Sequence, residues 1–321
     1  MANRGNVDIV VREATLDDYE AVMAIDTNID EGLDYQPKMY HTYMRDPRRT
    51  GFVLVKNGRV VGFAMSYVID DQQTMVVQSA RITQEERSAG LWAALLNQVN
   101  QRTIEKFPTI RIIVGTTSEK NLALSRNRTR NNEQQYSHIC TRWGIQASLK
   151  LGSKPNNMGK ELKSPTKKIE PNALQSILMD PETQWKLFPH RRIVISWEPF
   201  RILPSNVEII GNLCHEIIGT PDEKDPARFS TISFGHYYET KVGLRYDIEI
   251  YSNDEQEVLD HMQKQIQLSY KYHTYGKHYI WIYFPIQIDL EIVKRELERN
   301  EELESHTMSI FENDITPKSL I

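Results

Sequence analysis

Arg87-Ser88-Ala89-Gly90-Leu91-Trp92 places an arginine three residues ahead of a glycine, where a β-rich run gives way to a helical one. A junction of this kind exposes backbone N–H groups and the positive end of a helix dipole, which together hold an anion, typically phosphate. Gly90 lets a ligand approach the main chain closely, and Arg87 supplies a complementary charge. The plainer reading is a routine strand-to-helix loop with a glycine at its end. The loop follows an antiparallel meander and lacks Gly-Lys-Ser/Thr, which disfavours a dinucleotide fold and a P-loop.

The elements that must position this loop are legible on both sides of it. Asp8 to Val11 reads as a short strand, and Thr15 is an N-cap with Asp18 three residues on, approximating a capping box. Leu16, Tyr19, Val22 and Met23 recur at helical spacing, and a short helix is expected around Met39 to Met44. Asn57-Gly58 between two β-rich runs signals a type I′ hairpin, Asp70 to Gln73 a second turn, and Thr74 to Thr83 a third strand. A helix is expected from about Gly90 to Glu105, then a buried strand over Arg111 to Thr116. Glu119 to Gln135 is polar and arginine-rich, and Tyr136 to Leu151 reads as a closing strand or pair of strands.

Ser153 to Lys168 is rich in proline, glycine and lysine and reads as a linker. Beyond it lies a second folded region in the order strand, strand, helix, strand, helix, strand, echoing the back half of the first without a sequence repeat. The expected organisation is a first domain over residues 1–152, a linker over 153–170 and a second domain over 171–321. Asp254-Glu255-Gln256-Glu257 puts acids at the corresponding helix entrance of the second region, which would repel a diphosphate.

Composition narrows the class. The chain has 39 basic and 43 acidic residues and a net charge of −4, whereas a dedicated nucleic-acid binder carries a basic excess. Cys140 and Cys214 are the two cysteines and form no CxxC pair, so neither a disulfide framework nor a cysteine-rich zinc site is expected. The histidines show no HxH or HExxH spacing, so no metal is expected. His215 beside Glu216 and His236 beside Tyr237 are read as structural or exposed. No apolar run reaches membrane-spanning length, and a reducing cytoplasm with no membrane partner is the expected setting. The sequence does not give an oligomeric state.

The R-x-x-G-x-(G/A) spacing and the element order β-α-(α)-β-β-β-α-β-α-β resemble the acetyl-CoA loop and the mixed α/β (α+β) fold of the GNAT acetyltransferases. Gly32-Leu33-Asp34-Tyr35-Gln36-Pro37, the strand Thr74 to Ile82, and Ser196 to Asn206 (SWEPFRILPSN) narrow the resemblance further. They are similar to the histidine N-acetyltransferases and their probable N-acetyltransferase relatives, over most of the chain. The resemblance implies a GNAT domain followed by a degenerate GNAT-like lobe. It implies acetyl-CoA as donor co-substrate and the α-amine of a free amino acid, histidine or a related one, as acceptor. Gln78 stands where the family usually has a glutamate, and Ser88, Ala89 and Trp92 where the loop carries small residues. Glutamine cannot accept a proton, so direct base catalysis from that position is lost. Trp92 would either crowd the diphosphate path or turn outward and stack on a partner or the adenine. An alternative reading is therefore a GNAT-shaped pseudoenzyme that binds CoA or a small molecule without turnover. A protein or lysine acetyltransferase is a third.

Residue roles follow from that resemblance. The diphosphate would meet Arg87, Ser88, Ala89, Gly90, Leu91 and Trp92, with Asn121 on the cofactor side. The amides near Arg81 and Ile82 would polarise the thioester carbonyl. Gln78 would hold a relay water, or is an ordinary strand residue; Tyr136 would protonate the leaving thiolate, or packs at a strand edge. Asp34, Tyr35, Tyr40 and Arg49 fall where the fold builds its acceptor wall, with core packing the alternative for the two tyrosines. Arg126, Arg128 and Arg130 would reach a phosphate or simply form a solvated face.

Overall fold

The computed structural model describes residues 8–87, 90–118, 136–149, 162–273, 276–297 and 302–316. It divides into two compact units, residues 1–115 with 314–321, and residues 116–313. Among the described residues no helix is long and apolar enough to cross a membrane.

In the first unit β1 (Ile9–Glu13), β2 (Arg49–Lys56), β3 (Arg59–Ile69) and β4 (Thr74–Ile82) form an antiparallel sheet in that order, and β5 (Ile112–Ser118) runs parallel to β4. Asn57 and Gly58 join β2 to β3 with φ of 50° and 79°, the two left-handed positions that a type I′ turn requires. Thr15 and Asp18 make the reciprocal capping box ahead of α1 (Tyr19–Met23). Residues alternate between the two faces of each strand. Val53, Phe63 and Met65 therefore pack with Val22, Tyr40 and Tyr43 from α1 and α2 (Gln36–Arg45), whereas Phe52, Leu54 and Ala64 pack under α3 (Leu91–Lys106). Leu91, Leu95 and Val99 of α3 are buried on that face.

The second unit carries β6 (Ser137–Leu149), β7 (Lys167–Lys168), α4 (Pro171–Met179), α5 (Pro181–Leu187), β8 (Arg192–Ile195), β9 (Glu198–Arg201) and α6 (Pro204–Leu213). β10 (Glu216–Pro221), β11 (Phe229–Glu239), β12 (Gly243–Tyr251), α7 (Glu255–Ser269), β13 (Lys277–Pro285), α8 (Leu290–Leu297) and β14 (Glu302–Asp314) follow. From β11 onward this is the strand-strand-helix-strand-helix-strand order read in the sequence. Its sheet runs β14-β6-β13-β12-β11-β10-β7.

The two compact units meet after Gly115. β6, read as the closing strand of the first domain, is hydrogen-bonded antiparallel to both β13 and β14. Lys167 and Lys168, read as linker, pair with Gly219 and Ile218 as β7.

Candidate active site

The site is set by a fork between β4 and β5. The two strands are paired only from Thr74–Ile112 to Val76–Val114, and β4 then continues to Ile82 with no further β5 partner. Among the described residues nothing lies within 4 Å of the point where a Cβ on Gly115 would sit, just past the last pair. That face of β5 is clear beside the point where the two strands part.

Backbone direction decides which amide faces it. Thr83 donates its N–H to the Val61 carbonyl at 2.9 Å, which makes Val61–Thr83 a hydrogen-bonded pair. Opposed pairs in an antiparallel ladder alternate, so the next pair, Gly62–Ile82, is the non-bonded kind. The amide of Ile82 therefore points away from β3, while that of Arg81 points toward it. The Ile82 carbonyl, on the same outer side, accepts from Arg87 Nε at 3.2 Å.

β4 is bulged at its centre. Ser79 has φ of 54°, and the register with β3 shifts between Phe63 and Met65. A left-handed conformation costs a non-glycine residue about 1 kcal/mol, so neighbours must hold it. The residues at the start of α2 do so. Ser79 Oγ donates to Gln36 Oε1 at 2.8 Å and lies 3.1 Å from the Tyr35 hydroxyl. Arg81 Nη1 meets Asp34 Oδ2 at 3.0 Å, with both side chains largely buried, and Asp34 Oδ1 also accepts the Gln36 amide at 3.0 Å. Gln36 is fully buried, and its Nε2 has no partner among the described residues. Gln78, half-buried beside the bulge, directs Nε2 toward Met65 Sδ at 3.6 Å.

The loop into α3 is open as well. Gly90 is the N-cap at φ 72°, no side chain among the described residues caps the helix, and no acid lies in its first turn. A Cβ on Gly90 would meet nothing within 4 Å among the described residues. The Trp92 side chain does not occupy that space. It packs, partly buried, against the cluster of Leu54, Ile82 and Leu95. Arg87 is exposed, and its Nη2 is 2.7 Å from Asp26 Oδ2, which already supplies it with a negative partner.

The structure thus brings Asp34, Tyr35, Gln78, Arg81 and Ile82 to the bulge and fork. It places Tyr40 and Arg49 elsewhere. Tyr40 is a core residue whose hydroxyl donates to the Thr15 carbonyl at 2.7 Å, and burial pushes its pKa up to about 12. The Arg49 guanidinium is buried between the rings of Tyr43 and Tyr67, at 4.0 and 3.6 Å from their centroids. Tyr136 belongs to the second unit, and burial raises its phenol pKa. Ser88, Ala89, Asn121, Arg126, Arg128 and Arg130 lie outside the described residues. Sequence reasoning missed Gln36, Ser79 and Asp26. The signal for the bulge was present: Gln78-Ser79-Ala80 interrupts the apolar run of β4 with small and polar residues.

Residues 13–124 match the Acetyltransferase (GNAT) family, and residues 161–283 match "Histidine N-acetyltransferase, C-terminal". The chain is 26% identical over 212 residues to the histidine N-acetyltransferase of Oreochromis niloticus, covering 61% of this chain and 60% of that protein. It is 28% identical over 210 residues to "Probable N-acetyltransferase 16" of Homo sapiens, covering 64% and 56%. The chain thus spans about 60% of the length of the curated relatives it matches. Among solved structures, a GCN5-related N-acetyltransferase from Sphaerobacter thermophilus superposes with a TM-score of 0.63 at 10% identity, covering 96% of each chain. A tandem GNAT protein from the clavulanic acid biosynthesis pathway superposes at 0.62 and 10% identity, covering 97% of this chain and 100% of that one. These last two likenesses establish the fold: a mixed-sheet GNAT fold in tandem.

Proposed function

We propose, for a chain that carries a GNAT acetyltransferase domain over residues 13–124 and a histidine N-acetyltransferase C-terminal segment over residues 161–283, that it acetylates the α-amine of a free amino acid, histidine or a close relative. The observation that carries this reading is the open β4–β5 fork with the Ile82 amide turned into it.

Acetyl-CoA fits the residues at the fork: Gly90 and the uncapped start of α3 suit a diphosphate, and the space beside Gly115 suits an acyl arm. It supplies an activated acetyl group as a thioester. The chain's own residues do the rest. The Ile82 N–H is the donor for the carbonyl oxygen as charge builds on it, a role independent of side-chain identity. Gln78 is neutral and accepts no proton, so we assign it to orienting a water near the amine. The α-amine of a free amino acid is mostly protonated at pH 7, so its proton must pass to that water before the nitrogen attacks. The Asp34–Arg81 pair and the Tyr35–Ser79–Gln36 bonds hold the bulge that aims Ile82. The free cysteines Cys140 and Cys214 suit a reducing cytoplasmic setting.

The pseudoenzyme reading has one observation in its favour: Arg87, the cation expected at the diphosphate, is held by Asp26. Thiol release from acetyl-CoA, measured across the free amino acids, separates the two. Release with histidine or one relative supports the enzyme. A thermal shift with acetyl-CoA but no release with any acceptor supports the rival.

A further inference from the structure

The second unit contains its own strand fork, and a side chain closes it. β12 and β13 run parallel from Gly243–Lys277 to Glu249–Tyr283. At the end of that ladder the Arg142 guanidinium, reaching in from β6, donates through Nη2 to the carbonyls of Ile250 at 2.9 Å and Tyr283 at 3.0 Å, one on each strand. The same group stacks over the Tyr251 ring, 4.1 Å from its centroid. A thioester arm has no way in between these strands without displacing a buried cation. Glu255 and Glu257 in the first turn of α7 add repulsion toward a diphosphate.

Outside the closed fork lies a cavity of about 340 Å³, walled by β6, the segment after α5 and the chain beyond β12 and β13. That is the low end of the range for small-molecule sites, roughly 300–1,000 Å³. Its polar wall carries Arg142, Arg192, His138 and His190, and no aspartate or glutamate lines it among the described residues. Phe188 and Tyr251 give it an aromatic side, with ring centroids 4.7 Å apart.

Arg142 is the decisive group. It is 5% exposed, and its Nε makes no hydrogen bond among the described residues. Its acidic neighbour, Glu249, lies 3.3 Å away, yet neither carboxylate oxygen makes a hydrogen bond among the described residues. Burial pushes the Glu249 carboxyl up, while the two carbonyls, the Tyr251 ring and Glu249 together favour the charged form of Arg142. A permanently charged guanidinium in the wall of a cavity attracts an anionic head group. Arg192, by contrast, is paired with Glu312 at 2.5 Å and donates to the Pro199 carbonyl at 2.8 Å, so it lends the wall shape more than free charge.

We infer that this cavity binds a small organic anion, a carboxylate or phosphate head on an aromatic body, with the head toward Arg142 and the two histidines and the body against Phe188 and Tyr251. The site is independent of acetyl transfer in the first unit and stands or falls separately from it.

Isothermal titration calorimetry on the full chain tests this with three probes: 3-phenylpropionate, phenyl phosphate and the neutral 3-phenylpropionamide. At least one anion is expected to bind at a single site, with the amide at least about tenfold weaker. The tighter anion identifies the head group. His138→Glu combined with His190→Glu, both at exposed positions, is expected to weaken the anion at least about tenfold with Tm unchanged. Ile286→Trp on the rim, 42% exposed in the parent, blocks entry without adding charge and decides the matter if the histidine pair lowers Tm. The proposal is overturned if neither anion binds at millimolar concentration, if the amide binds equally well, or if the folded variants bind like the parent.

Discussion

The Tyr35 hydroxyl and Ser79 Oγ lie 3.1 Å apart, joining the N-cap residue of α2 to the left-handed residue at the centre of the β4 bulge. Tyr35→Phe removes one partner of a half-buried pair. The expected stability loss is about 1 kcal/mol, the usual net worth of such a bond. Because the bulge aims the Ile82 amide, kcat should fall more than KM changes. Steady-state kinetics with urea denaturation check this; an unchanged kcat would uncouple the bulge from catalysis.

Arg81 and Asp34 form a pair whose side chains are 5% and 13% exposed. Removing one partner leaves a buried charge uncompensated, which costs about 3–5 kcal/mol. Arg81→Met and Asp34→Asn should each destabilise strongly, and the double variant should lose much less than their sum. Additive losses in a double-mutant cycle would show that the pair does not act as a unit.

Trp92 packs on the apolar cluster under α3 and leaves the space over Gly90 clear. Trp92→Ala should therefore lower Tm while leaving acetyl-CoA affinity within about twofold, since a lost contact of roughly 0.4 kcal/mol is at most a twofold effect. Gly90→Ala should do the reverse where it matters. It strains a φ of 72° at a cost of about 1 kcal/mol and weakens the cofactor. Tighter acetyl-CoA binding in Trp92→Ala would mean that the indole fills the hollow.

The second unit should weaken as pH falls below neutrality. Burial lowers His236 to about 4 and His261 and His278 to about 3. Each is neutral when folded but takes a proton when unfolded below about pH 6.5, so the unfolded state binds more protons and stability falls with pH. Each histidine contributes a slope of about 1.4 kcal/mol per pH unit in the window from 6.5 down to its folded pKa. Glu249, raised to about 8, works in the opposite direction between its unfolded value near 4.5 and 8. The net effect is a loss equivalent to about two protons between pH 6.5 and 4.5. Urea midpoints at pH 7 and pH 5 measure it, and equal midpoints would contradict the burial of these rings.

Much of the frame was legible in the sequence because local chemistry dictates it. Asn57-Gly58 makes its hairpin, Thr15 and Asp18 cap their helix, and the periodicity of Leu91, Leu95 and Val99 puts α3 on the sheet. The second region's element order was read correctly for the same reason. What sequence order cannot show is which distant strand a strand pairs with. β6 has edges on both sides, and its partners β13 and β14 come from more than a hundred residues downstream. The site was half legible for a similar reason. Asp34, Tyr35, Arg81 and Ile82 were singled out, but their roles depend on partners brought by the fold. Asp34 holds Arg81 rather than standing free, Asp26 takes Arg87, and Ser79 with Gln36 emerges only from the bulge geometry.

The most direct test of the account is calorimetric titration of the full chain with acetyl-CoA, followed in the same preparation by thiol release on adding each free amino acid. The account predicts binding at the β4–β5 fork that Gly90→Ala weakens, and release of CoA that depends on histidine or a closely related amino acid. No heat on adding acetyl-CoA, together with no acceptor-dependent thiol, would contradict it.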